Sequence, residues 1–162
     1  MSARLAVASM LVLLLAGCRL RQGSSSSGGG DAGPELDGAA GQGQLAVQAR
    51  QCGQCHQPPD PVDGVLSGQD TPVPGTMAYG SNLTPDPDTG MDVQEAGTIA
   101  TSILQSVALD GGPLCPAMPA YADAGMGQAE ALAIAAYLQT LTPVWHPVPS
   151  SLCSAADAGG GR

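Results

Sequence analysis

Apolar residues are distributed unevenly along the chain, and the first concentration lies at the N-terminus. A mostly apolar run extends from Leu5 to Leu15, directly after the single early charge of Arg4, and small residues follow it. The run is shorter than the roughly 20 apolar residues that a membrane-spanning helix needs. A charged start, a short apolar run and small residues together predict a secretory signal peptide over residues 1–17.

Further along, apolar residues recur at the three- and four-residue spacing of a helix in three segments. The helix-spaced positions are Leu45, Ala49 and Cys52 in the first segment, Ile99, Ile103 and Val107 in the second, and Ala131, Ile134, Ala135, Leu138 and Leu141 in the third. We expect the second helix over about residues 93–109 and the third over about residues 128–141, where Pro143 stops it. Long Gly/Pro-rich segments lie between them, so the pattern predicts a small all-α domain.

A polar stretch separates the signal peptide from the first helical segment. Residues 18–42 include four consecutive serines followed by three glycines, and they contain few large apolar side chains. Stretches of this composition behave as flexible coil. We therefore expect a tether over residues 18–42, a folded domain over residues 43–153 and a disordered tail over residues 154–162.

The composition leaves the core of this domain short of large side chains. The chain contains no Phe, one Trp and three Tyr, but 23 Gly and 14 Pro. Aromatic residues normally supply much of the buried area, and a small domain buries a low fraction of its surface. This composition favours a core that is completed by a large apolar cofactor.

The segment Cys52-Gly53-Gln54-Cys55-His56 indicates which cofactor this is. C-x-x-C-H is the attachment signature of c-type haem, in which the two thiols bond to the haem and His56 binds the iron. A redox dithiol and half of a zinc site are the competing interpretations. The dithiol motif needs a preceding strand, whereas this segment is predicted to be helical. A zinc site needs a second ligand pair, but the only other His is His146, and Cys115 and Cys153 are far apart in the sequence. We therefore expect one covalent haem c.

Later segments carry a family resemblance. They are Asn82-Leu83-Thr84-Pro85-Asp86, Thr89-Gly90, Asp110-Gly111, Pro116-Ala117-Met118-Pro119 and Tyr137-Leu138. In this order after the haem motif, they make the chain from residue 43 to about 144 resemble class I bacterial cytochromes c. The resemblance implies a small cytochrome c fold in which three or so helices surround one covalent haem, and it implies single-electron transfer. The family includes electron-transfer subunits of periplasmic dehydrogenases.

The second axial ligand of the iron decides which chemistry is expected. Met118 lies between Pro116 and Pro119, which stiffen the loop, and a Met opposite His favours electron transfer. Met126 and Met77 remain alternatives, because Met also fills irregular gaps in a core. His146 is a further alternative that would lower the potential. If no side chain holds this position firmly, the chain is instead a haem-based sensor or ligand-binding module.

The remaining cysteines predict an anchor and a crosslink. Leu15-Ala16-Gly17-Cys18 resembles the lipobox of bacterial lipoproteins, in which the cysteine is acylated and becomes the first mature residue. Acylation at Cys18 would hold the domain on a membrane, facing the periplasm. Arg19 is not the Asp that often retains lipoproteins at the inner membrane, which weakly favours the outer membrane. Cys115 and Cys153 are left, and in an oxidising compartment they predict a disulfide.

The charge balance narrows the partners. Residues 43–153 contain ten acidic residues and one basic residue, Arg50, and the chain has no Lys. Nucleic acid is excluded as a partner, because its phosphates require Lys and Arg. No constellation for hydrolysis or peroxide chemistry accompanies the haem motif. We therefore expect an electron carrier, not an enzyme, with redox proteins as its partners.

Overall fold

The computed structural model describes residues 38–60 and 65–153. Its helices are α1 (Gly38–Ala49), α2 (Gly53–His56), α3 (Ala96–Gln105) and α4 (Gln128–Leu138). Extended pairing in these two ranges is limited to one isolated antiparallel bridge between Val107 and Pro113. The described part is thus helical with almost no strand, in agreement with the all-α prediction. The signal peptide, Cys18, most of the tether and the tail over residues 154–162 lie outside the described residues.

Helices α1 and α4 cross at very close range. A Cβ atom placed on Gly43 would lie 1.9 Å from the carbonyl oxygen of Ala133 and 2.8 Å from the Cβ of Tyr137. Only a residue without a side chain lets the two backbones approach this closely. Val47, four residues after Gly43, is buried in the same core as Ile134 and Leu138 of α4. Helix α3 packs on the same helix α4.

Two of the three positions on the predicted inward face of the first helix are wrong, whereas the third, Cys52, packs against the core as expected. Leu45 is 66% exposed, and Ala49 is exposed as well. The buried positions of α1 are Gly43 and Val47. Apolar spacing alone predicts that Leu45 is buried. The buried face is instead set by Gly43, which has no side chain and therefore lies where the two helices cross. The helix also starts at Gly38, inside the stretch that was expected to be tether.

Helix α3 is shorter than predicted at both ends. Ile99 and Ile103 are buried as expected, and the helix ends at Gln105 because Ser106 adopts the left-handed conformation (φ 54°, ψ 46°). Val107 therefore lies outside the helix, and its bridge to Pro113 begins a short turn-back of the chain. The helical spacing of Val107 is accidental.

Helix α4 begins at Gln128 as predicted, and four of the five expected core positions are buried within it. They are Ala131, Ile134, Ala135 and Leu138. The helix ends three residues before Leu141, which is half-buried beyond its end. The chain then continues without helix or strand over residues 143–153, which we call the C-terminal strap. The strap is held by hydrogen bonds: its Val144 N–H donates to the Thr84 hydroxyl (3.1 Å), and its Leu152 N–H donates to the Met77 carbonyl (3.0 Å).

A methyl group at the helix crossing should destabilise the domain. Gly43→Ala forces α1 and α4 apart, because the new Cβ meets backbone atoms that cannot rotate away, and we expect a loss of about 1–3 kcal/mol in the free energy of unfolding. Gly97→Ala is the matched control, since Gly97 is also helical and a Cβ there has nothing within 4 Å. Its stability should be unchanged or raised by up to about 1 kcal/mol. Urea unfolding of both variants tests the crossing, and equal stabilities would contradict it.

Candidate functional site

A cavity of about 580 Å³ lies in the centre of the fold. Its walls come from α1, residues 51–56, residues 73–91, α3, residues 107–126, α4 and residues 151–153 at the end of the strap. Most of these side chains are apolar. The volume is in the range of pockets that hold a cofactor or a small molecule. All four helices and the loops between them therefore share the wall of one mostly apolar cavity.

The three residues of the haem motif share this cavity wall. After α1, the chain turns through Arg50 and Gln51, where Gln51 has a positive φ of 58°. The Cys52 N–H then donates to the Val47 carbonyl (3.1 Å), and α2 follows directly. Cys52, Cys55 and His56 all line the cavity. The two thiols are free, and burial raises the pKa of the Cys52 thiol. The structure thus brings together the residues predicted to hold a haem.

His56 is oriented by the chain that faces it. Its Nδ1 lies 2.8 Å from the carbonyl oxygen of Ser81. Because a carbonyl can only accept, Nδ1 carries the proton and Nε2 keeps its lone pair for another bond. Burial lowers the pKa of His56, although the hydrogen bond to Ser81 opposes this shift. A neutral, oriented imidazole is the form that binds a metal.

Three methionines line the cavity, and they do not coincide with the predicted set. Met118 and Met126 both line it, as does Met91, which was not among the predicted ligands. Met77 is 51% exposed and is not part of the wall. No sequence signal distinguishes Met91, because it lies in the long loop without helical spacing or flanking prolines.

Met118 and Met126 are held in different ways. The Met118 N–H donates to the Cys115 carbonyl (2.8 Å), and the Met118 carbonyl accepts from the Ser106 hydroxyl (2.6 Å) at the end of α3. Met126 precedes α4, is only 5% exposed and donates its N–H to the Tyr121 carbonyl (3.0 Å). Backbone hydrogen bonds thus hold both predicted methionines at the cavity wall that they share with His56.

His146 lies away from the cavity. Its Nδ1 is 2.8 Å from the carbonyl oxygen of Ser67, and its Nε2 is 3.1 Å from Oδ1 of Asp70. Both ring nitrogens thus face acceptors in the loop that the strap crosses. His146 is absent from the residues that line the cavity. The contacts make it a residue that attaches the strap.

The remaining two cysteines form part of the cavity wall. Cys115 and Cys153 are joined by a disulfide with a Cα–Cα distance of 5.2 Å, and both line the cavity. The bond links the end of the strap to the loop that carries Met118. The end of the strap therefore forms part of the cavity wall beside this loop.

An ion pair joins the motif to the start of α4. Arg50 donates from Nε and Nη2 to the two carboxylate oxygens of Glu130, each at 2.8 Å, and from Nη1 to the Ala124 carbonyl at 3.3 Å. These hydrogen bonds hold the pKa of Glu130 below its usual range. Since Arg50 is the only Lys or Arg in residues 43–153, this charged pair leaves the other acidic residues of that range in excess.

The described ranges contain neither a ready-made metal cluster nor a membrane span. Within them, no three side chains of His, Cys, Asp or Glu converge so that they could hold a metal ion by themselves. In the same ranges, no helix has the length and apolar character needed to cross a membrane.

Comparison with known proteins gives a partial likeness. No family model matches the chain. Over 114 residues, the chain is 31% identical to a nicotinate dehydrogenase subunit from Pseudomonas putida. The match covers 67% of this chain but 9% of that subunit, so the chain corresponds to a small part of its relative. The chain is therefore similar to one segment of a dehydrogenase component.

The ion pair predicts a loss of stability in acid. Because the pKa of Glu130 is lower in the folded chain than in the unfolded chain, the ionised carboxylate stabilises the fold. This contribution is complete above the ordinary Glu pKa of about 4.3 and is lost as the pH falls through the pKa of Glu130 in the folded chain. Glu130→Gln should remove this part of the pH dependence, and Arg50→Gln should remove it equally. Urea unfolding at a series of pH values from neutral to acid measures the effect. The idea is wrong if both variants lose stability on acidification as steeply as the wild type.

Proposed function

We propose that the chain is a mono-haem c-type cytochrome that carries single electrons. The observation that supports this most directly is the common cavity wall formed by Cys52, Cys55 and His56, with the His56 Nε2 lone pair unused. The cavity fits the group: it is large, mostly apolar and bordered by two free thiols. In this proposal each thiol adds across one vinyl group of the haem, with sulfur bonding to one carbon and the thiol hydrogen moving to the other.

Bound there, the haem iron would gain and lose one electron at a time. The roles of the chain's own residues follow from their contacts. Cys52 and Cys55 would hold the group covalently, and His56 would bind the iron through Nε2 while Ser81 keeps the ring in place. Met118 is the proposed second ligand, with Met126 as its alternative. A thioether in that position favours electron transfer over the binding of small molecules.

The proposed role beside other proteins is that of an electron-transfer partner of a dehydrogenase or an oxidase. The likeness to a segment of a nicotinate dehydrogenase component supports this role. In this proposal the haem occupies Cys52, Cys55 and His56, so the chain acts as a carrier without catalytic residues. Its redox partners would meet a domain in which Arg50 is neutralised by Glu130.

The alternative function is a haem-based sensor or ligand-binding module. Met118 and Met126 both border the cavity, and the hydrogen bonds that hold them involve their backbone atoms rather than their sulfur atoms. A labile sulfur ligand would let a small molecule reach the iron. The response of the absorption spectrum to carbon monoxide distinguishes this alternative from the carrier.

The proposed location is the periplasmic side of a bacterial membrane, with a weak preference for the outer membrane. It depends on the signal peptide over residues 1–17 and on acylation of Cys18, which lie outside the described residues. An oxidising compartment agrees with the disulfide between Cys115 and Cys153.

The proposal predicts a specific spectrum. Expressed with a cytochrome c maturation system, the wild type should give a pyridine haemochrome of the two-thioether type, a far-red sulfur-to-iron band and no change with carbon monoxide. Met118→Ala should abolish the far-red band and admit carbon monoxide. Met126→Ala is the matched control, because it also removes a cavity sulfur and should keep the band.

The other outcomes have separate meanings. A band lost in Met126→Ala and kept in Met118→Ala would move the ligand to Met126. Carbon monoxide binding by the wild type would favour the sensor. The absence of a covalent haem in the wild type would overturn the proposed function.

Acylation of Cys18 predicts the distribution of the protein between cell fractions. The wild type should incorporate labelled palmitate and sediment with membranes, and detergent should release it. Cys18→Ala should lose the label and leave the membrane fraction, whereas Arg19→Ala, one residue later, should retain both. An unlabelled wild type in the soluble fraction would contradict the anchor.

A further inference from the structure

The orientation of His56 depends on one backbone carbonyl, and the two neighbours of that carbonyl are tightly held. Ser81, which supplies it, is itself exposed. On one side, a Cβ on Gly80 would lie 1.6 Å from the carbonyl oxygen of Cys55, so the loop is pressed against α2. On the other side, Asn82 is only 3% exposed. The carbonyl that accepts from His56 is thus carried between two closely packed residues.

All the hydrogen-bonding capacity of the Asn82 side chain is used. Its Oδ1 accepts from the Thr84 N–H (2.9 Å) and the Thr84 hydroxyl (2.8 Å). Its Nδ2 donates to the Val144 carbonyl (2.7 Å) and to the Thr89 hydroxyl oxygen (3.2 Å). An amide has two lone pairs and two N–H groups, so no further bond is possible.

The C-terminal strap completes this network. The Val144 N–H donates to the Thr84 hydroxyl oxygen (3.1 Å), and the His146 N–H donates to the Thr89 hydroxyl oxygen (2.8 Å). The Thr89 hydroxyl in turn donates to Oδ1 of Asp86 (2.8 Å). Each hydroxyl therefore has one acceptor and at least one donor. A buried network in which every member is satisfied holds a single arrangement, whereas the loss of one member leaves others unpaired.

We propose that Asn82 is a positioning residue for His56: together with the strap it fixes the Ser81 carbonyl and thereby tunes the affinity of the iron for an electron. This inference depends on the proposed haem attachment. A carbonyl that accepts the Nδ1 proton makes the imidazole a more basic ligand, which stabilises the oxidised metal. When the carbonyl is less firmly held, the imidazole donates less charge and the reduction potential rises.

The test compares reduction potentials in the haem-loaded, full-length protein. Asn82→Ala removes all four side-chain bonds and should raise the reduction equilibrium constant about tenfold, which corresponds to about 59 mV for one electron. Thr84→Val keeps the shape of the side chain and removes the hydroxyl that bonds to Asn82 and Val144, so it should give a smaller shift in the same direction. Thr76→Val is the control: the Thr76 hydroxyl makes two hydrogen bonds in the same loop, to the Val73 carbonyl and from the Ala78 N–H, and both lie away from Ser81 and Asn82.

A second measurement separates positioning from a general loss of stability. In nuclear magnetic resonance of the reduced protein, the Nδ1 proton of His56 should exchange with solvent faster in Asn82→Ala and Thr84→Val than in the wild type and Thr76→Val. If Asn82→Ala does not fold, Thr84→Val decides alone. Potentials and exchange rates equal to those of Thr76→Val would overturn the inference while leaving a covalent haem in place. A chain that attaches no haem would instead refute the proposed function.

Discussion

The close contact between α1 and α4 sets the geometry on which the rest of this domain depends. Gly43 has no side chain, so α1 rests directly on the backbone of Ala133. From this contact α1 continues to Ala49, and the turn through Gln51 then leads into α2 and its motif at the cavity wall. The bidentate pair between Arg50 and Glu130 joins the same two chain segments at the end of the crossing. A short stretch of backbone contact thus positions the three residues that carry the proposed chemistry.

Outside the helices, the described residues are mostly in loops, and side-chain hydrogen bonds replace secondary structure in holding these loops. Asn82, Thr84 and Thr89 bind both their own loop and the strap. The strap also binds the loop through Leu152 and ends in a disulfide to Cys115. Loops usually have more freedom than helices. Here the loops form most of the cavity wall. Hydrogen bonds and the disulfide hold these loops in place, which an aromatic core would do in a domain richer in large side chains.

Some of this architecture could be predicted from the sequence, because it depends on local spacing. The start of α4 and its buried face follow from regular apolar spacing, and the helical character of the fold follows from the same pattern. The buried face of α1 could not be predicted, because Gly43 is buried by contact with Ala133, which is far away in the chain. Leu45 has the spacing of a core residue, but its side chain is exposed to solvent. The left-handed Ser106 ended α3 early without a Gly or Pro to indicate it. Asn82, Thr84 and Thr89 stood out in the sequence only as motif residues. Their hydrogen bonds and the role of the Ser81 carbonyl could not be predicted, since a backbone atom has no sequence signature and the strap returns from the distant C-terminal end of the domain.

The placement of the cysteines has a consequence for how the chain matures. In the proposed function Cys52 and Cys55 bond to the haem, whereas Cys115 and Cys153 form a disulfide, and all four sulfur atoms belong to residues that border one cavity. Cys115 and Cys153 are the pair that the fold holds within bonding distance. Burial raises the pKa of the Cys52 thiol and so reduces the thiolate that attacks a disulfide. The fold therefore brings Cys115 and Cys153 together for oxidation and, at Cys52, disfavours the thiolate through which a wrong disulfide would form.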